Sequence, residues 1–219
     1  MRTSQSWLVG LAVLVSLAAP ALGNEPDDWQ LWSSGRFQAH LAQRWKVTLE
    51  QQFRFQQNMS DLTYRYSDVG IVWQTTSWLE TGFHLAQLCQ ESGSDWKGEH
   101  RPFVDGTLKH TWGPLRFTDR HRLERRFREG APNLWRYRNK FTLSATSGRT
   151  RFRILPYVWG GIFVHLRQKD FYRWRLSVGL KGQVYKKLFI DLSYLRQGTE
   201  TTVRWTHCHV LGISMTVAL

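Results

Sequence analysis

From residue 24 onward the chain repeats one theme: about ten residues of polar–apolar alternation, then a turn. The clearest run is WKVTLEQQFRF. Trp45, Val47, Leu49, Phe53 and Phe55 share one face, and Lys46, Thr48, Glu50, Gln52 and Arg54 share the other. Side chains of a strand point alternately to opposite faces, so a period of two predicts a strand with one apolar and one polar side. The pattern returns in Val69, Ile71 and Trp73, and again in Leu79, Thr81, Phe83 and Leu85. Trp135, Tyr137, Phe141 and Leu143 alternate with Arg136, Arg138 and Lys140, and Trp174, Leu176, Val178 and Leu180 with Arg173, Arg175, Ser177 and Lys181. Leu211, Ile213, Met215, Val217 and Leu219 close the chain in the same manner.

The expected turns also alternate in kind. Short ones fall near residues 43–44, 75–77, 113–114, 147–150 and 186–187; longer, more polar ones near 56–61, 91–99, 129–133, 166–170 and 197–204. Short turns on one side and longer loops on the other are the requirement of a transmembrane barrel, whereas a soluble sandwich has no reason to alternate them. Tryptophan usage agrees. Trp45, Trp73, Trp78 and Trp112 flank short turns, while Trp135, Trp174 and Trp205 sit near longer loops, as two aromatic girdles would. The negative mean hydropathy does not oppose this, because only alternate residues of such strands face lipid. The fold class expected is all-β, an antiparallel transmembrane barrel of ten to twelve strands. Eleven alternating segments are visible, but closed bacterial barrels ordinarily have an even number. The expectation is therefore ten or twelve, with residues 29–41 as a plug, a cap or half of a further hairpin.

At the N-terminus, Met1 and Arg2 lead into an apolar run at residues 8–19, broken by Pro20 and followed by Ala21 and Gly23. That order describes a cleaved secretory signal peptide, and the run falls short of the roughly 20 apolar residues a membrane helix needs. Residues 1–23 are assigned to the signal and 24–219 to a single barrel domain located in the outer membrane. Removing the first 23 of 219 residues leaves 196 and takes away one arginine and no acid, so the charge falls from +13 to +12. The two cysteines, Cys89 and Cys208, are too few for a disulfide scaffold and lie in distant segments. His207, Cys208 and His209 look metal-binding by composition only, since on a strand Cys208 points away from both histidines. No metal or cofactor is expected.

Several segments together resemble one family. DWQLW near the expected mature start, EHRPFVDGTL, RLERRFREG followed by WRYRN, and a closing VLGISM are similar, in that order, to the exported barrels of the domain-of-unknown-function 2490 family. The resemblance implies a Gram-negative outer-membrane barrel, with outer-membrane lipid, lipopolysaccharide and the barrel-assembly machinery as its partners. It brings no established activity and therefore no catalytic positions. Two features depart from expectation. The chain ends on Leu219 where barrels of this class commonly end on an aromatic residue. Asp119, His121 and Arg125 share a face with Leu115, Phe117, Leu123 and Phe127, which calls for a bulge, a contact with another subunit, or a different register.

A charge of +12 ordinarily suggests nucleic acid. Here the cations are woven through strands, and Arg120, Arg122, Glu124, Arg126 and Arg128 are successive inward positions of one segment. Nucleic acid is therefore not an expected partner. If residues 129–133 form a hairpin, Glu124 falls near Lys140, Arg126 and Arg128 face Arg138 and Arg136, and Asp105 falls near Arg122. Arg101, Arg120, Arg122, Arg126, Arg128, Arg136 and Arg138 are the candidate lumen residues for an anionic small molecule, by bidentate recognition of carboxylate or phosphate. Glu50, Asp68, Glu80, Glu99, Asp105 and Glu124 are their candidate acidic neighbours. Three functions stand open at this stage: an anion-favouring pore or ligand pocket, a salt-bridge-plugged structural barrel, and an enzyme at the outer rim. The last would use His84, His100 and Ser92 with Glu91 and Glu99.

Overall fold

A computed structural model describes residues 28–148, 150–167, 170–202 and 204–219. The expected signal peptide lies outside the described residues. Among these residues there are eleven strands and no helix. They are β1 (Asp28–Ala42), β2 (Trp45–Gln56), β3 (Asp61–Gln74), β4 (Leu79–Ser92), β5 (Asp95–Trp112) and β6 (Leu115–Arg128). β7 (Leu134–Ala145), β8 (Leu155–His165), β9 (Asp170–Tyr185), β10 (Leu188–Glu200) and β11 (Trp205–Ala218) complete the wall.

Each strand pairs antiparallel with the next, and β1 closes on β11 in parallel, from Asp28 opposite Cys208 to Gln38 opposite Ala218. Geometry forces this. With an odd number of up-and-down strands the first and last run the same way, so closure is parallel. The expected even count gives way here. Residues 29–41 are neither plug nor cap; they belong to β1, which is hydrogen-bonded on one side to β2 and on the other to β11. Leaving β1 out would expose two unpaired strand edges, which a wall in hydrocarbon cannot tolerate.

The strict alternation of short and long turns fails at two places. β4 and β5 run on to a tight turn at residues 93–94, where Gly93 takes the left-handed conformation (φ 69°) that a two-residue hairpin requires. The expected loop at 91–99 is therefore mostly strand. Conversely, β7 and β8 are separated by residues 146–154, a longer connection than the short turn expected at 147–150.

The barrel is apolar outside and polar inside. Leu49, Val69, Ile71, Phe83, Leu85, Val104, Leu192, Ile213 and Met215 are exposed, while Asp68, Glu99, Arg101, Arg122, Glu124, Arg136 and Arg175 are buried. Trp45 and Trp73 stack at 5.7 Å beside one set of turns, and Trp29, Trp96, Trp135 and Trp205 stand near the other. Inside, Trp32, Leu195, Cys208 and Val210 form a small apolar cluster against the seam. The register of β6 is unbroken from Leu115–Ala145 to Arg126–Leu134, so no bulge turns Asp119 or His121 inward, and both face out.

Parallel closure can be tested by cross-linking. Ser34 and Ser214 are register partners across the seam. In a background lacking Cys89 and Cys208, S34C with S214C should oxidise to a disulfide and hold the barrel closed on boiling until reduced. Failure to oxidise in folded protein would contradict this register.

Candidate functional site: the charged lumen

Residues of all eleven strands line a lumen cavity of about 1350 Å³. Its side chains arrive from the inward positions of the alternation: Gln30 to Gln38 on β1, Lys46 to Gln56 on β2, Arg116 to Arg126 on β6, and Arg136 to Ser144 on β7. Because so many of these are cationic, what answers each charge decides what the lumen can do.

One group of cations is matched by acids. Glu124, fully buried, accepts from Arg136 Nε at 2.6 Å and Arg138 Nη1 at 2.9 Å, with Arg122 Nη1 at 3.9 Å. Arg136 also donates to Tyr172 Oη at 3.1 Å. Glu99 accepts from Arg101 Nε and Nη2 at 2.9 and 2.8 Å, and from Arg126 Nε and Nη2 at 2.6 and 2.7 Å. Asp105 holds Arg122 at 2.7 Å, Glu80 holds Lys46 at 3.0 Å and Lys109 at 2.5 Å, and Glu50 holds Arg36. Charge-assisted pairs of this kind are short and strong, and each fixes a guanidinium or ammonium against the wall.

A second group has no acid. Among the described residues no carboxylate lies within ion-pair distance of Arg54, Arg120, Lys140, Arg173 or Arg175. Their partners are neutral. Arg54 donates to Gln52 Oε1 at 3.1 and 2.8 Å, Arg175 to Gln197 Oε1 at 2.8 Å, and Arg173 to Thr199 Oγ1 at 3.1 Å. The guanidinium faces of Arg54, Arg173 and Arg175 rest on rings. Arg54 lies 3.8 Å from the Trp32 centroid and 4.1 Å from that of Tyr64, and Arg175 lies 4.7 Å from both Trp32 and Phe163. Arg138 adds itself to Phe163 at 4.6 Å, so Tyr64, Arg54, Trp32, Arg175, Phe163 and Arg138 form an alternating stack that passes inside β10 and β11 between Trp32 and Arg175. Lys140 sits 4.1 Å over Trp159 and is the direct cross-strand partner of Arg120. Stacking stabilises a cation without neutralising it and leaves the edge N–H groups free to bind.

The sequence-based placements fare unevenly. Arg101, Arg120, Arg122, Arg126, Arg136 and Arg138 line the cavity, and all but Arg120 are bound to acids. Arg128 stands at the rim and donates to the Pro132 carbonyl at 3.0 and 2.5 Å. Asp105 is opposite Arg122 as expected. The β6–β7 register is corrected: Glu124 lies opposite Arg136, and Lys140 opposite Arg120. This shift puts a carboxylate among three arginines, where the expected register set arginine against arginine. Asp68 turns to His84 Nδ1 (2.9 Å) and Tyr66 Oη (2.7 Å), with no arginine.

The rim constellation does not assemble. His84 is buried on the lumen side with Asp68, Glu99 is taken by two arginines, and His100 is on the outer face. Cys89 and Cys208 are both free thiols, and Cys208 packs into the apolar cluster while His209 stacks on Trp29. No cluster of three metal-ligating side chains occurs among the described residues.

Residues 29–207 match the family model described as "Protein of unknown function (DUF2490)". The chain belongs to this family. Among functionally curated proteins, none matches it. Solved structures similar to this DUF2490 member include an anion-selective porin from Comamonas acidovorans, 9% identical with a TM-score of 0.41. The match covers 81% of this chain and 53% of that one, about half the porin's length. The β domain of the Bordetella autotransporter BrkA is 12% identical with a TM-score of 0.47, over 78% of this chain and 82% of that one. LpxR from Salmonella typhimurium is 9% identical with a TM-score of 0.47, over 80% and 83%. Likeness at this level transfers no activity, and the closed barrel stands on its own strand pairing.

The two cation groups should respond oppositely to neutralisation. Glu124→Gln leaves buried arginines unanswered and should cost about 3–5 kcal/mol of stability. Arg120→Gln removes a like-charge pair with Lys140 and should be neutral or stabilising. Urea unfolding followed by tryptophan fluorescence measures both.

Proposed function

We propose that this protein is exported through its N-terminal segment 1–23 into the outer membrane, where its lumen is a narrow passage favouring anions. The supporting observation is a set of lumen cations matched by no carboxylate: Arg54, Lys140, Arg173 and Arg175, which rest on rings and neutral polar groups, and Arg120, which pairs across strands with Lys140. Cations of one sign lining a pore are the expected device for anion selectivity. A guanidinium anchored through its face and one edge presents its remaining N–H groups to carboxylate or phosphate in a fixed geometry. Lipopolysaccharide and the assembly machinery are the partners this location implies, and a small anion is the proposed cargo.

A structural barrel with a filled lumen is the second reading, favoured by the Glu99 and Glu124 networks. Those networks lie on β5, β6 and β7, and the cavity runs beside them. The acids therefore brace one wall and leave the stacked arginines of β2 and β9, Arg54, Arg173 and Arg175, lining the cavity without a carboxylate.

Refolded protein in a planar bilayer under a salt gradient separates the two. The pore reading expects discrete conductance steps with an anion-selective reversal potential, and a loss of that preference in R54Q/R175Q. Silence from protein verified as folded, or selectivity unchanged in the variant, would favour the filled barrel.

A further inference from the structure

Among the described residues the outer wall carries a cluster of hydrogen-bonded ionisable and polar side chains on β6 and β7 that hydrocarbon does not explain, apart from the polar row of Gln51, Ser67, Gln87 and His100 on β2 to β5. Asp119, His121, Tyr137 and Asn139 face outward from neighbouring positions of β6 and β7, beside Phe117, Leu123, Phe141 and Leu143. His121 Nδ1 lies 2.7 Å from Tyr137 Oη and Nε2 lies 3.2 Å from Asp119 Oδ2, while Asn139 Nδ2 donates to Asp119 Oδ1 at 2.6 Å. The His121 side chain is nevertheless 46% exposed. On β5, the direct partner of His121 is Gly106, facing the same way, and a Cβ at Gly106 would meet nothing within 4 Å. A protruding imidazole thus stands beside a notch with a glycine floor.

We propose that this face docks a second copy of the same chain, an inference that rests on the membrane-barrel reading above. Ionisable groups inside a membrane characteristically face protein or water in place of lipid. The patch is also self-complementary, which singles out a second copy. In a two-fold contact residue i meets residue j and j meets i. The imidazole of one copy enters the Gly106 notch of the other, and the reverse contact forms at the same time. Within one copy these polar groups answer one another, Tyr137 Oη with His121 Nδ1 and with the Asn139 amide, and Asn139 and His121 with Asp119, so the contact between copies is one of shape, imidazole into notch. Elsewhere the mid-wall faces of β9, β10 and β11 are apolar, with Leu176, Leu192, Ile213 and Met215 outward. Lipid suits those faces.

The test uses the full refolded chain in detergent and in nanodiscs, with mass measured by light scattering, beside G106F and H121A. Gly106 has open space above it, so phenylalanine there fills the notch without disturbing the lumen. The expected result is a dimer for the parent and monomers for both variants, each retaining the boiling-dependent gel shift of a folded barrel. A second check mixes G106C with H121C in a background without Cys89 and Cys208; an intermolecular disulfide is expected. A monomeric parent, a dimer indifferent to both variants, or a folded monomer that retains bound lipid in place of a partner would overturn the proposal. Loss of the gel shift in the parent would instead reject the barrel reading itself.

Discussion

In a wall that faces hydrocarbon each peptide group must find its hydrogen bond within the sheet, and the rest of this structure follows from closing that sheet. Closure with eleven strands forces β1 onto β11 in parallel. It also fixes the two faces of every strand, because register and alternation leave no freedom about which side chains enter the lumen. Lysine and arginine fall on the inner face by that rule, and a small barrel crowds them together. The charge problem of the lumen is therefore a consequence of topology.

Two solutions to that crowding coexist. On β5, β6 and β7 the acids Glu99, Asp105 and Glu124 each hold one or more arginines, so part of the charge of this wall is answered, while Arg120 and Lys140 on the same strands have no acid. Around Arg54 and Arg175, rings take the place of acids: Trp32 lies between the two guanidiniums, Phe163 between Arg175 and Arg138, and Tyr64 packs on Arg54. The first arrangement consumes positive charge and the second preserves it. A lumen that only needed filling could use the first arrangement throughout. Retaining the second against mutual repulsion is what points to anions.

Period-two alternation made the strands, the inward and outward faces and the aromatic girdles legible before any coordinates. It could not supply register, which depends on where each hairpin turns. Residues 129–133 illustrate this: a shift of the hairpin there moved Glu124 from Lys140 to Arg136, and so moved the acid into the arginines. The even-strand expectation failed because it concerns how ends meet, a property no single strand encodes. Arg54 and Arg175 were visible as polar positions, but setting Trp32 opposite Arg54 needs the β1–β2 register, and Arg175 meets Trp32 from a strand distant in sequence. A tryptophan on the polar face of its own strand, as Trp32 is among Gln30, Ser34 and Arg36, was the available signal. The outward Asp119 and His121 were legible as an anomaly, and unbroken pairing along β6 removes the bulge as an explanation.

The central claim is that stacked cations stay electrically available while acid-paired ones do not. Anomalous diffraction from crystals of the protein soaked in bromide addresses it directly, because each bound anion marks its own position. The account predicts bromide at the free edges of Arg54 and Arg175 and between Arg120 and Lys140, with none beside Arg136 or Arg126. A lumen without bromide, or bromide gathered at the acid-paired arginines, would contradict it.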